Sequence, residues 1–225
     1  MEIIKKYDDT YIFEEEGVRF FLLLGDNKAL LIDTGMSNED ISKELNNITD
    51  KEIILVNTHC DIDHIGKNYL FDKVYMGIHE IYHYENNKQE ILGLFDKDII
   101  ELGNREIEII DIPGHTRGSI ALLDKRHKIL FSGDSIQEDG RIFMFGSERN
   151  LEVNIQSLNR LKKRINEFDE IWPCHCKLPV YKDMIDDVIE DCELILKGES
   201  EYKEVDLFGN KVKAHKMKRN TFLTD

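Results

Sequence analysis

Four short apolar segments constrain the fold of this chain most. Each of them is followed directly by a turn that carries a histidine or an aspartate. The segments are Ile53–Val56 before His59, Glu106–Ile112 before His115, Lys128–Gly133 before Asp134, and Glu170–Trp172 before His175. Short apolar runs bounded by turn residues are typical of buried β-strands. Functional side chains are often displayed on loops by a rigid sheet. The pattern therefore predicts one site built from several strand ends.

The remaining segments predict further strands and three helices. Two more strands are predicted at Arg19–Leu24 and Ala29–Ile32. The helices are predicted after an N-cap at Asn38, at about Leu151–Phe168 and at about Asp183–Lys197, and a hairpin is predicted around Phe208-Gly209-Asn210. Strands that alternate with helices indicate a layered α/β protein. We expect one domain over residues 1–225, with a C-terminal helix and hairpin at about 181–225.

Composition narrows the classes of partner. The formal net charge of −15 disfavours binding to nucleic-acid phosphates and to anionic membranes. The N-terminus has no apolar run of signal-peptide length, and no segment approaches the roughly 20 apolar residues that span a bilayer. We therefore expect a cytoplasmic protein with no nucleic-acid partner and no membrane contact. The sequence leaves the oligomeric state open.

The loop THCDIDHIG, which runs from Thr58 to Gly66, is rich in metal-binding side chains. Neutral imidazole and carboxylate groups are the usual ligands for zinc, iron or manganese. Two cations that lie a few ångströms apart need a shared anion, and an aspartate at a rigid strand end such as Asp134 supplies one. A metal-bound water loses a proton readily and becomes a nucleophile.

The order of five short motifs resembles the metallo-β-lactamase superfamily of metal-dependent hydrolases. They are LIDTG (Leu31–Gly35), THCDIDHIG against the family's His-x-His-x-Asp-His, PGHTRGS (Pro113–Ser119), FSGD (Phe131–Asp134) and PCHC (Pro173–Cys176). The resemblance implies a four-layer αββα sandwich, with two divalent metal ions at one edge and a dinuclear-site hydroxide as nucleophile.

The resemblance also implies a role for each residue of the site. The first metal would be held by His59, Asp61 and His115, the second by Asp63, His64 and His175, and Asp134 would bridge them. Asp63 and Asp134 would be the catalytic carboxylates, with Asp63 both binding metal and orienting the nucleophile.

Asp61 departs from the family pattern, which usually has histidine at this position. Three interpretations stay open: Asp61 is a ligand, or it is too short to reach and leaves the first site weak or empty, or the site is degenerate and inactive. As a ligand, Asp61 would shift the metal preference from zinc toward the harder iron or manganese.

Two other segments carry competing interpretations. HEIYH (His79–His83) matches the zincin motif His-Glu-x-x-His, in which a helix presents two ligands and Glu80 acts as base. Its neighbours, including Asn86-Asn87, instead favour an amphipathic surface helix, which would lie near the substrate entrance. The segment RIFMFG (Arg141–Gly146) is either an apolar wall of the substrate pocket or part of the core.

Three functional hypotheses follow from the sequence. The first is a metal-dependent hydrolase that cleaves an ester, thioester, lactone or similar bond in a small-molecule substrate. The chain after His175 is expected to be too short for the helical substrate domain of glyoxalase II enzymes. The second is a diiron oxidoreductase resembling flavodiiron proteins, which would need a separate redox partner. The third is a non-catalytic metal-binding or sensor protein.

Overall fold

The computed structural model describes residues 1–84 and 88–225. Its first sheet contains seven strands in chain order, β1 to β7: Glu2–Tyr7, Thr10–Glu14, Arg19–Leu24, Lys28–Ile32, Glu52–Asn57, Lys73–Gly77 and Glu90–Leu94. Strands β1 to β4 pair antiparallel, whereas β4 to β7 pair parallel. Parallel neighbours need a crossover connection, and helix α1 (Ser42–Ile48) supplies it between β4 and β5.

The other two sheets are built from the second half of the chain. Strands β8 to β11 are Ile99–Glu101, Glu106–Asp111, Ile120–Asp124 and Ile129–Gly133, and strands β12 to β16 are Arg141–Met144, Glu170–Pro173, Tyr202–Leu207, Asn210–Lys216 and Thr221–Thr224. The second sheet has the order β13-β11-β10-β9-β8, and the third has the order β12-β16-β15-β14. Helices α2 (Leu151–Lys162) and α3 (Asp183–Leu196) pack against each other.

The first two sheets face each other across a buried apolar core. Phe21 of the first sheet contacts Phe131 and Trp172 of the second, with ring centroids 4.9 and 5.7 Å apart. Leu45 of α1 packs on the outer face of the first sheet. Helices α2 and α3 cover the outer face of the second sheet, where Leu158 and Val188 are fully buried. This order of layers confirms the predicted αββα sandwich.

The bounds of two helices differ from the predictions. Helix α1 begins at Ser42, where the Asp40 carboxylate accepts a hydrogen bond from the Ser42 amide at 2.8 Å, so the prediction of Asn38 as N-cap was wrong. Helix α2 ends at Lys162 because residues 163–166 form turns instead of continuing to Phe168. Its N-cap is Asn150, whose side chain accepts from the Val153 amide at 2.8 Å.

The C-terminal hairpin is confirmed as strands β14 and β15. Phe208 and Gly209 form its two-residue turn with φ angles of 51° and 79°, as the favoured hairpin turn requires. Among the described residues, no helix has the length and apolar character needed to cross a membrane. The single-domain organisation and the cytoplasmic location stay predictions.

Candidate metal centre

The ends of four strands meet at one edge of the sandwich. His59 follows β5 of the first sheet, whereas His115, Asp134 and His175 follow β9, β11 and β13 of the second. This placement matches the prediction that strand ends supply the site. His59, His115 and Asp134 are buried, and His175 is partly exposed.

A first cluster is formed by His59, Asp61 and His115. The Oδ2 atom of Asp61 lies 3.5 Å from Nε2 of His59 and 3.3 Å from Nε2 of His115. One ligand atom from each of the three residues lies within 4.8 Å of the others. Asp61 therefore reaches the cluster in spite of its short side chain.

A second cluster is formed by Asp63, His64 and His175. The Asp63 carboxylate lies 3.8 Å from Nε2 of His64 and 3.2 Å from Nε2 of His175. These ligand atoms also lie within 4.8 Å of one another. The loop Thr58–Gly66 thus contributes two side chains to each cluster.

Asp134 lies between the two clusters and contacts both. Its Oδ1 atom is 3.5 Å from Nε2 of His64, and its Oδ2 atom is 3.3 Å from Nε2 of His175 and 3.8 Å from Nε2 of His115. One carboxylate therefore faces imidazoles of both clusters. The structure brings together all seven side chains that the sequence predicted as ligands.

Several buried polar atoms of the site fit a metal ion. His59 Nε2, His64 Nε2 and Asp134 Oδ1 have no hydrogen-bond partner within residues 1–84 and 88–225. An unpaired buried nitrogen or oxygen costs about 1–3 kcal/mol, so such atoms are rare unless a ligand satisfies them. Four imidazoles and three carboxylates form a donor set suited to zinc, iron or manganese.

The protonation of the ligand set is strongly perturbed without a metal. Burial alone would raise the pKa of Asp134, but His175 and His64 hold it well below its ordinary value. Burial alone would lower the pKa of His175, but chiefly Asp134 raises it to about 10. A metal ion that binds His175 must therefore displace its proton, so metal affinity must rise with pH up to about pH 10.

Asp33 orients two of the histidines, a role that the sequence analysis did not assign. Its carboxylate accepts from the Thr58 amide and hydroxyl, both at 2.7 Å, and from His64 Nδ1 at 2.9 Å. Because the Thr58 hydroxyl donates its proton to Asp33, the hydroxyl oxygen acts as acceptor toward His59 Nδ1, which lies 3.0 Å away. Both imidazoles thus donate from Nδ1 and turn Nε2 toward the clusters, as the nitrogen that can bind a metal ion. In the sequence, the position of Asp33 directly after a predicted strand was the signal from which this role could have been predicted.

The metal loop is packed closely against the turn that carries Asp33. A side chain at Gly66 would place its Cβ atom 2.6 Å from the carbonyl oxygen of Met36. Lys67 is fully buried, and its ammonium group contacts the Glu15 carboxylate at 2.5 Å and the Thr34 carbonyl at 2.9 Å. These contacts hold the loop rigidly on the first sheet.

The HEIYH segment is neither a helix nor a metal site. Residues 78–83 form turns, and within the described chain no cluster of potential ligands includes His79 or His83. Glu80 is buried and accepts from the amides of Cys60 at 3.1 Å and Gly118 at 3.0 Å, as well as from the Thr116 hydroxyl. The zincin interpretation and the surface-helix prediction were therefore wrong for these residues, while Asn86-Asn87 lie outside the described residues.

A cavity of about 730 Å³ opens directly over the clusters. Its apolar lining consists of Met36, Ile62, Phe143, Phe145 and Phe208. Three of these side chains are largely exposed, at 60% for Met36, 73% for Ile62 and 82% for Phe208. The apolar-wall interpretation is confirmed for Phe143 and Phe145, whereas Met144 between them packs into the core.

Arg149 also borders this cavity and was missed by the sequence analysis. Its guanidinium Nη2 atom contacts Oδ2 of Asp61, and the Arg149 side chain is only 15% exposed. The residue lies just before the N-cap of α2, in a loop with no distinguishing pattern. Arg117, by contrast, pairs with Glu148 at 3.2 Å and is 64% exposed, as expected for a surface ion pair.

Comparison with known proteins identifies relatives of this chain. The family model for the metallo-beta-lactamase superfamily matches residues 15–166, which is more than half of the chain. The acyl-coenzyme A thioesterase MBLAC2 of Bos taurus is 28% identical over 180 residues, covering 58% of this chain and 63% of the relative. The hydroxyacylglutathione hydrolase of Bdellovibrio bacteriovorus is 31% identical over 179 residues, covering 72% of this chain and 62% of the relative.

A solved structure shares the fold. The metallo-beta-lactamase from Pontibacter korlensis superposes with a TM-score of 0.72 at 17% identity, covering 85% of this chain and 98% of that chain. The matches to the two curated relatives span less than two thirds of their lengths. His175 lies beyond the range of the family model, so only the structure places it with the other six side chains.

Proposed function

This chain belongs to the metallo-beta-lactamase superfamily, and we propose that it is a metal-dependent hydrolase that cleaves an ester, thioester, lactone or similar bond in a small molecule. The observation that carries the proposal is the pair of three-residue clusters that share Asp134. Relatives named as a thioesterase and a hydrolase support the same class of reaction.

In this proposal each cluster holds one divalent ion. The first ion is assigned to His59, Asp61 and His115, the second to Asp63, His64 and His175, and Asp134 is shared. When bound, the ions lower the pKa of a coordinated water and polarise the carbonyl of the substrate. Because the set includes three carboxylates, iron and manganese are candidates beside zinc.

The remaining roles belong to side chains of the protein. Asp33 and Thr58 accept hydrogen bonds from Nδ1 of His64 and His59, and so orient the Nε2 atoms of both rings toward the clusters. The Asp63 carboxylate is partly exposed and borders the cavity, so it can accept a proton from the nucleophile and orient it. Asp134, buried between the clusters, keeps them at a fixed separation.

The lining of the cavity supports a substrate with an apolar group next to the scissile bond. Phe143 and Phe145 lie with ring centroids 5.9 Å apart on one wall. Desolvation of an apolar substituent against such rings contributes about 25 cal/mol for each Å² that is buried. Acyl thioesters with an aliphatic chain are therefore the first substrates to test, in keeping with the thioesterase relative.

The experiment is a hydrolysis screen of the purified protein loaded separately with zinc, iron(II) or manganese. Acetyl and octanoyl esters and thioesters are assayed for release of the alcohol or thiol, and oxygen consumption with an electron donor is recorded in parallel. We expect hydrolysis that is lost in Asp134→Asn and kept in the exposed control Asp26→Asn. Oxygen consumption without hydrolysis would favour the diiron oxidoreductase, and metal binding without turnover would favour a sensor.

A further inference from the structure

Arg149 and the first cluster share one oxygen atom. Oδ2 of Asp61 is the atom that faces Nε2 of His59 and Nε2 of His115, at 3.5 and 3.3 Å. The same Oδ2 atom is in contact with Nη2 of Arg149. A metal ion in the first cluster would therefore have to share this oxygen with a guanidinium group or displace it.

In the part of the chain that the structure describes, the second cluster has no such cation. Among the described residues, the ion pairs of Asp63 are with His64 and His175 only. A guanidinium cannot be deprotonated in a protein, so Arg149 keeps its positive charge whether or not a metal ion is bound. The two clusters thus differ by one permanent positive charge, located at the first.

The surroundings of Arg149 leave space for a second position of its side chain. Its side chain borders the cavity over the clusters and a second cavity of about 480 Å³, which is also lined by Glu152. Its Nε atom is buried without a hydrogen-bond partner in the described part of the chain. The contact with Asp61 is therefore the main polar anchor of the guanidinium, and the second cavity offers space for another side-chain position.

We propose that Arg149 competes with the first metal ion for Asp61 and makes the first cluster the weaker of two unequal metal sites. The inference rests on the proposed function, because it requires both clusters to bind metal. Arg149 is in this account a positioning residue that sets the order of metal loading: the second cluster fills first, and the first cluster fills only when the guanidinium yields Oδ2.

The test is a titration of metal-free protein with Zn²⁺ alone against a chromophoric chelator, which resolves two binding steps. Arg149→Met removes the charge and keeps a side chain of similar length. Because a hydrogen bond to a charged group no longer competes for Asp61, we expect the weaker step to tighten about 10- to 100-fold and the tighter step to stay within about twofold. Asp61→Asn should weaken or abolish that same weaker step, which assigns it to the first cluster.

Arg141→Met is the matched control, since Arg141 borders the same cavity and is exposed. An equal tightening in this control would show that the effect comes from removing any positive charge near the cavity, and it would overturn the inference. A weaker step that is unchanged or loosened in Arg149→Met would overturn it as well. Should Arg149→Met fail to fold by circular dichroism, Arg149→Gln decides: this neutral side chain must also tighten the weaker step, and no change would refute the competition.

Failure of the inference is distinguishable from failure of the proposed function. Two zinc ions bound with the same affinities in wild type and Arg149→Met would refute only the role of Arg149. A protein that binds no zinc at either step would refute the metal site itself, and with it both proposals.

Discussion

Replacing Asp33 by asparagine tests how the protein controls the protonation of its metal ligands. The substitution keeps the size of a fully buried side chain but exchanges one carboxylate oxygen for an amide NH₂ group. In the wild type, Asp33 accepts from the Thr58 amide with Oδ1 and from His64 Nδ1 with Oδ2. Asp33→Asn therefore changes the hydrogen-bond polarity at one defined position and leaves the shape of the side chain nearly unchanged.

Both orientations of the new amide are unfavourable. If the amide oxygen faces the Thr58 amide, the NH₂ group faces His64 Nδ1, and the proton of His64 must move to Nε2, the atom that points to Asp63 and Asp134. If the amide is reversed, its NH₂ group opposes the Thr58 N–H group, and a buried hydrogen bond worth about 1–3 kcal/mol is lost. Loss of such an orienting partner typically costs about 10- to 100-fold in metal affinity, or about 1.4–2.7 kcal/mol.

The assay is a competitive zinc titration of the metal-free variant, together with urea unfolding of both metal-free proteins. We expect the tighter zinc step to weaken about 10- to 100-fold and the free energy of unfolding to fall by about 1–3 kcal/mol. Asp26→Asn, the same chemical change at an exposed turn, should leave both quantities unchanged. An affinity for zinc in Asp33→Asn within twofold of wild type would refute the assignment of Asp33 as the group that fixes the His64 tautomer.

Three further outcomes are expected. Burial and neighbouring carboxylates raise the pKa of Asp191 to about 6, so the folded protein holds this proton to a higher pH than the unfolded chain and loses stability as pH rises from about 4 to about 6. In urea unfolding, Asp191→Asn should therefore stabilise the protein more at pH 7 than at pH 4, and equal gains at both pH values would contradict this. Glu80→Gln keeps an acceptor for only one of the Cys60 and Gly118 amides and turns its NH₂ group toward the other. It should cost about 1–3 kcal/mol, seen as a melting temperature several degrees lower, whereas an unchanged melt would show that Glu80 does not tie the two loops together. Phe143→Ala should lower kcat/KM about tenfold for an octanoyl substrate and much less for an acetyl one, and equal losses for both would place Phe143 outside the acyl-binding wall.

The sequence predicted the parts of the site that depend on local pattern. An apolar strand followed by a histidine or aspartate is a short-range signal, and β5, β9, β11 and β13 each end where such a signal stands. Strand pairing brings the ends of β9, β11 and β13 to one edge of the second sheet, and the packing of the two sheets places the end of β5 beside them. The seven predicted side chains accordingly lie together.

The contacts that tune the site could not be read from local pattern. Arg149 and Asp61 are 88 residues apart, and nothing in the loop around Arg149 indicates which carboxylate it meets. Glu80 sits in a segment whose spacing fits a helical zinc motif, yet its carboxylate is satisfied by amides of two distant loops and the segment folds as turns. Tertiary hydrogen bonds override a short helical pattern in such cases.

The parallel pairing of β12 with β16 was also missed. The two strands are far apart in the chain and are joined in register from Arg141–Thr221 to Met144–Thr224. This pairing places Phe143 and the hairpin residue Phe208 around the same cavity. Its dependence on long-range pairing explains why the sequence left the apolar wall and the core as equal alternatives for the segment Arg141–Gly146.

A crystal structure of the metal-loaded protein, with anomalous data at the iron, manganese and zinc edges, tests the central claim most directly. At saturating metal the account predicts two peaks, one on each side of the Asp134 carboxylate. The first is contacted by His59, Asp61 and His115, and the second by Asp63, His64 and His175. A single peak confined to one cluster, a peak on His79 and His83, or no peak near Asp134 would contradict it.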